Sequence, residues 1–143
     1  MREILFRGKR EDNGEWIKGC LSLYSEGGVA EMVYPIKMED EEGNIYTDFD
    51  FVTVIHETVG QFTGLFDKND KKVFEGDIIA YTPRSNCTII YEVTWQQEYS
   101  RFSLVQWSTH RYRLYEWAEL EKVKYMCEVI GNIHDNPELL EVE

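Results

Sequence analysis

Ile45-Tyr46-Thr47-Asp48-Phe49-Asp50-Phe51-Val52-Thr53-Val54-Ile55 is the stretch on which the fold turns. Side chains of an extended chain point alternately to opposite faces, so Ile45, Phe49, Phe51 and Ile55 share one side while Asp48 and Asp50 point to the other. A helix would scatter these residues around its axis, and the run is rich in β-branched and aromatic types. The pattern predicts a half-buried strand, with the Ile45, Phe49, Phe51 and Ile55 face as the covered one.

The same alternation recurs along the chain. From Thr88 to Trp95, the residues Ile89, Tyr91, Val93 and Trp95 form an apolar side, with Thr88, Glu92 and Thr94 opposite. Further strands are expected over Arg101 to Trp107 and Val123 to Ile130, with shorter ones at Ile4 to Arg7, Trp16 to Leu23, Val29 to Tyr34 and Val73 to Tyr81. Turn residues at Asp12-Asn13-Gly14 and Gly27-Gly28 separate the early strands. Helical spacing is confined to Leu114 to Glu121, where Leu114, Trp117, Ala118 and Glu121 fall on one side. At the end, Asn136 as N-cap and Pro137 at the first helical position predict a helical turn.

The fold class expected is therefore mainly β: an N-terminal β meander followed by a small SH3-like, partly open β-barrel with one short helix and a C-terminal helical turn. Gly60 and Gly64 bracket a short polar stretch, placing the boundary near Glu57 to Gly64. The expected division is residues 1–60 and residues 61–143, which are also able to form one compact unit.

With 143 residues, 43% of them hydrophobic, the chain is long enough to bury a core and too apolar for intrinsic disorder. Its 15 Lys plus Arg against 27 Asp plus Glu give a formal charge of −12. That charge repels phosphate backbones and anionic lipids, which disfavours direct nucleic-acid binding and membrane association. Apolar runs fall short of the ~18 residues that span a bilayer, and no signal-peptide pattern opens the chain. The three widely spaced cysteines, Cys20, Cys87 and Cys127, contain no C-x-x-C motif and fit a reducing cytoplasm. Their alternating surroundings suggest small, partly or fully buried thiols. The basic clusters Lys68, Lys71 and Lys72, and Arg111 with Arg113, read as solubilising charge.

Candidate chemistry is sparse. Glu75 and Asp77 flank Gly76 and would share one side of an undisturbed strand, where two carboxylates suit a divalent cation or an acid/base pair, with Asp67 as a third ligand. The alternative is that they accept backbone N–H bonds at a bulge or turn, and this is favoured because a cation needs more ligands. Asp67-Lys68-Asn69-Asp70 opens like a calcium loop, but Lys72 and Ile78 occupy the places of the loop's glycine and bidentate glutamate. The run Glu39-Asp40-Glu41-Glu42 reads as a solvated hairpin tip. His56, His110 and His134 have no second ligand at metal-binding spacing. Common nucleotide, hydrolase and zinc motifs do not occur, so no catalytic residue and no cofactor are expected.

The stretch from Glu57 to Ile79, containing Gly60, Phe62, Thr63, Gly64, Asp67, Glu75, Gly76 and Asp77, resembles the central signature of the YopX family of phage and prophage proteins. The opening Phe6-Arg7-Gly8 with Trp16, and the closing Gly131-Asn132 with Asn136-Pro137, resemble that family's ends. The resemblance implies a predominantly β protein of phage or prophage origin, and brings no established activity, cofactor or catalytic residue. It also marks one departure: the turn usually reads Asp-Lys-Asn-Gly, and Asp70 stands in the glycine's place.

Aromatic residues gather in the second half at Trp95, Tyr99, Phe102, Trp107, Tyr112, Tyr115 and Trp117. On an acidic chain they favour core and protein-interface roles over base stacking. The leading expectation is a non-catalytic module that binds a protein of host or phage origin or assembles with itself. An acidic nucleic-acid mimic or nucleic-acid-associated factor is second, and a metal-dependent enzyme built on Asp67, Glu75 and Asp77 ranks last.

Overall fold

Eleven strands and one short helix make up a computed structural model that describes residues 1–23, 28–84, 87–108, 111–115 and 121–141. The chain divides into two compact units, Met1–Gln61 and Phe62–Glu143. Both are built from antiparallel sheets that remain partly open.

In the first unit, β1 (Phe6–Lys9), β2 (Trp16–Leu23), β3 (Ala30–Glu39) and β4 (Ile45–Val54) follow one another as a meander. The start of β5 (Gly60–Phe66) returns beside β1, with Gly60 opposite Arg7 and Gln61 opposite Phe6. Alternation sends Phe6, Ile17, Leu21, Met32, Val52 and Val54 to one face, where Ala30, Met32 and Val54 are buried together. A single bridge between Arg10 and Val54 curls the sheet, helped by Glu11 N–H donating to the Thr53 carbonyl at 3.1 Å and Ile55 N–H to the Lys9 carbonyl at 2.8 Å. The curl brings the Val54 side chain against the β1 backbone: a Cβ on Gly8 would lie 3.1 Å from the Val54 Cβ.

This arrangement corrects the expected burial of β4. Ile45, Phe49, Phe51 and Ile55 lie 73%, 59%, 56% and 39% exposed, and the covered residues are Val52 and Val54 on the other side. The reason is the register: Val54 faces Ala30 and Val52 faces Met32, so the core forms on the side carrying those partners.

The second unit contains the rest of β5, then β6 (Lys72–Phe74), β7 (Asp77–Arg84), β8 (Cys87–Gln96), β9 (Arg101–Ser108), β10 (Arg111–Tyr115), α1 (Glu121–Met126) and β11 (Cys127–Asn132). Its main sheet has the order β10-β9-β8-β7-β11. Val73, Ile79, Tyr91, Val93, Leu104, Val123 and Cys127 form its core, with Ile89 packed against them. The alternation read over Thr88 to Trp95 thus identifies the covered side of β8 at Ile89, Tyr91 and Val93, while Trp95 on the same side is 40% exposed.

Two expectations about helix change. Leu114 and Tyr115 belong to β10, paired with Val105 and Leu104, while residues 116–120, including Trp117, lie outside the described residues. The segment Val123 to Met126, expected as the start of a strand, is instead helix. Val123 and Cys127 are buried four residues apart while Tyr125 between them is 76% exposed, the separation that one helical turn produces. The C-terminal turn is present as a 3-10 helix over Pro137–Leu140, although the Asn136 side chain makes no capping bond to it.

Candidate functional site

The carboxylates singled out from the sequence lie in two turns of the second unit. Asp67 follows β5 and is fully buried. Its Oδ1 accepts the N–H groups of Asn69 at 2.8 Å and Lys71 at 2.9 Å, and its Oδ2 accepts the Val129 N–H at 2.9 Å. A side chain that folds back onto its own following backbone makes the tight turn, and its second oxygen fastens that turn to β11. Lys68 N–H adds a bond to the Cys127 carbonyl at 2.9 Å, and Lys68 Nζ lies 3.6 Å from Glu128. Asp70 completes the turn in the left-handed region at φ 59°, a conformation aspartate tolerates better than most residues.

Glu75 and Gly76 form the turn between β6 and β7 and are not inside a strand, which corrects the expected side-by-side placement of Glu75 and Asp77. Gly76 has φ 87°. Its N–H donates to the Val93 carbonyl at 2.8 Å and its carbonyl accepts from Ile133 N–H at 2.9 Å. Asp77, 1% exposed, accepts the Phe74 N–H at 2.7 Å and so closes the turn. Among the described residues, no group of three or more His, Cys, Asp or Glu is arranged to hold a metal ion.

The other motif residues are also packing and turn residues. Arg7 lies 4.8 Å and Lys9 5.7 Å over the Trp16 ring, a cation–π stack across β1 and β2. Phe62 meets the Phe66 ring at 5.6 Å and the Phe74 ring at 5.7 Å. Thr63 Oγ1 donates to the Val73 carbonyl at 2.7 Å, and Gly64 takes φ 88° where the β5–β6 register shifts. Asn132 Oδ1 accepts from His134 N–H at 3.0 Å and Asp135 N–H at 2.9 Å, while Asn136 Oδ1 accepts from Asn132 N–H at 3.3 Å. Gly131 packs against Asn136 and Pro137 begins the terminal turn.

Burial divides the cysteines. Cys20 and Cys87 are exposed, against the expectation of covered thiols: Cys20 lies on the side of β2 opposite Ile17 and Leu21, and Cys87 opens β8 ahead of Ile89, the first residue of its side to pack on the core. Cys127 is buried, and burial together with the neighbouring Asp67 charge pushes its thiol up to about 11. It is a core residue held neutral, not a nucleophile.

What sequence reasoning missed is the outer face of the β3–β4 hairpin. Beyond Val33 and Phe51 the hairpin continues without β2, and Ile45, Phe49 and Phe51 project from its β4 half. Pro35 has no N–H and stands opposite Phe49, which fixes the hydrogen-bonding phase: Phe49 and Phe51 aim their N–H groups at the outer edge of the sheet. There Asp48 Oδ1 accepts the Phe49 N–H and Asp50 Oδ1 the Phe51 N–H, each at 2.8 Å. Tyr34 donates to the Asp50 Oδ2 at 3.2 Å, and loss of hydration followed by that carboxylate raises the tyrosine above its ordinary value. At the tip, Asp40 Oδ1 accepts from Glu42 N–H and Asn44 N–H at 2.9 and 2.8 Å, bonds that hold its carboxyl below the usual range, those from Asn44 foremost. The acidic run is thus an exposed hairpin tip.

A mostly antiparallel β protein in two units, whose motif residues secure turns and cores, is the class these features define. The YopX protein family model matches residues 5–141, and the chain belongs to that family. A crystal structure of protein EF1440 from Enterococcus faecalis shares the fold with a TM-score of 0.59 at 23% sequence identity, over 99% of this chain and 100% of the other. Comparison with curated proteins gives no match. Among the described residues, no helix is long and apolar enough to cross a membrane.

Proposed function

We propose that this protein is a non-catalytic β module that binds protein or assembles with itself, phage- or prophage-encoded and acting in the cytoplasm. The observation that supports this reading is the apolar outer face of the β3–β4 hairpin, where Phe49 and Phe51 stand more than half exposed. Scattered exposed apolar residues are ordinary, but a contiguous set on one strand marks an interaction surface. Asp67 and Asp77, two of the three carboxylates that metal chemistry would need, are instead engaged by backbone N–H groups.

The test is a binding comparison between the wild-type chain and Phe49→Lys, with circular dichroism to confirm the fold. The reading requires a defined protein complex, with itself or with a partner, that the wild type forms and the variant loses. Equal behaviour of the two proteins in every complex found would overturn it.

A further inference from the structure

We infer that the outer face of the β3–β4 hairpin is a self-association surface, which a second copy of this chain covers face to face and not by strand addition at the β4 edge. The inference rests on the protein-binding reading above and names the occupant. Three observations support it.

The first is the edge. β4 ends its sheet, and an unpaired strand normally offers its N–H groups to any incoming strand. Here the outward N–H groups of Phe49 and Phe51 are already held by Asp48 and Asp50, and two carboxylates flank the path of approach. Strand addition would break these bonds and bring carboxylates of two copies together.

The second is charge. At a formal −12, copies of this chain repel one another unless the meeting surfaces are free of net negative charge. The register places Glu31, Lys37 and Glu39 of β3, Lys18 of β2, and Arg7 and Lys9 of β1 on the same side as Phe49 and Phe51, so this side carries both signs and no net negative charge. The β4 side chains on that face, Ile45 to Thr53, carry none, and Lys37 Nζ reaches Thr47 Oγ1 at 3.3 Å along the surface. An uncharged β4 strip with both signs at its rim matches a copy of itself in an isologous contact.

The third is area. The exposed parts of Ile45, Phe49, Phe51 and Ile55 amount to about 400 Å² of apolar surface, within the ~300–600 Å² of the largest patch on a typical lone protein, a patch that is often functional. Two such faces bring ~800 Å² of apolar surface together, leaving their polar rims to supply the rest of the ~1,200–2,000 Å² of a standard interface.

The experiment is light scattering coupled to size exclusion on the full chain at ~1 and ~100 μM, bracketing common association strengths, for wild type, Phe49→Lys and Asp50→Asn. The exposed Cys20, on the same face, supplies a second readout through its maleimide labelling rate, with Cys87 as internal control. We expect a wild-type dimer at the higher concentration, with Cys20 labelling slowed at least threefold relative to Cys87, and a monomer with restored labelling for Phe49→Lys. Asp50→Asn should remain dimeric, since the face and not the edge makes the contact. A wild-type monomer at both concentrations would overturn the inference, and the protein-binding reading would then stand or fall on a separate partner lost by Phe49→Lys. A dimer that survives Phe49→Lys, or one enlarged into polymers by Asp50→Asn, would overturn it as well.

Discussion

Replacing Asp67 tests whether one buried carboxylate ties the turn after β5 to the last strand. Its two oxygens accept three backbone N–H groups, from Asn69, Lys71 and Val129, all within 2.9 Å. A hydrogen bond to a charged group contributes about 1.5–3 kcal/mol net, and a donor left unpaired in a covered place costs about 1–3 kcal/mol. In Asp67→Asn, Oδ1 still serves Asn69 and Lys71, but an amide N–H₂ replaces Oδ2 and faces the Val129 N–H. The loss centres on that one bond, and we expect ~2–3 kcal/mol. In Asp67→Ala all three acceptors go; the turn donors regain some hydration, so the expected loss is ~3–5 kcal/mol, a large part of the 5–15 kcal/mol typical of a domain. Urea unfolding followed by circular dichroism measures both, with hydrogen exchange at Val129 and Lys71 locating the effect. If Asp67→Asn falls within 0.5 kcal/mol of wild type and the Val129 amide keeps its protection, the reasoning is refuted.

Three other outcomes follow from the same structure. Asp70→Gly should stabilise the protein by ~0.5–1 kcal/mol, read as a higher melting temperature, because the residue at φ 59° would no longer meet the left-handed penalty; an unchanged or lower value would show that aspartate sits there without strain. Gly131→Ala should destabilise by ~1–3 kcal/mol, since the new Cβ would lie 2.5 Å from Asn136 Oδ1, and Asn136→Gly in the same chain should recover part of that loss in thermal melts. Cys127 should resist thiol reagents at pH 8 while Cys20 and Cys87 react. Because its folded value is raised, the stabilisation it lends is complete below the ordinary thiol range and fades as pH climbs towards about 11, a decline that Cys127→Ala should flatten in denaturation series.

The strands were legible because a sheet with one covered side writes its period into the sequence, as Ile89, Tyr91 and Val93 do. That period does not say which side is covered when both are partly apolar. In β4 the longer apolar set, Ile45 to Ile55, is the exposed one, and the shorter set, Val52 and Val54, meets Ala30 and Met32 across a register that only the pairing of β3 with β4 defines. Val123, Tyr125 and Cys127 fit alternation and helical spacing equally well, and the solvent exposure of Tyr125 decides between them. Asp67 stood out as a candidate ligand, yet its partner Val129 lies 62 residues away, beyond the reach of any local pattern. The carboxylates were found by residue type, while their use as backbone acceptors depended on where the chain returns.

That return has a consequence for synthesis. Chains are made from the N-terminus at about 5–20 residues per second, and domains fold as they become complete. Every strand pairing of the first unit lies within residues 6–61, so it has all its partners while the rest of the chain is still being made. The second unit must wait: β7 keeps one side open, and the turn at Asp67 stays untied, until Cys127–Asn132 leaves the ribosome. Emergence of β11, rather than of the central motif, is therefore the event that lets this half of the molecule close.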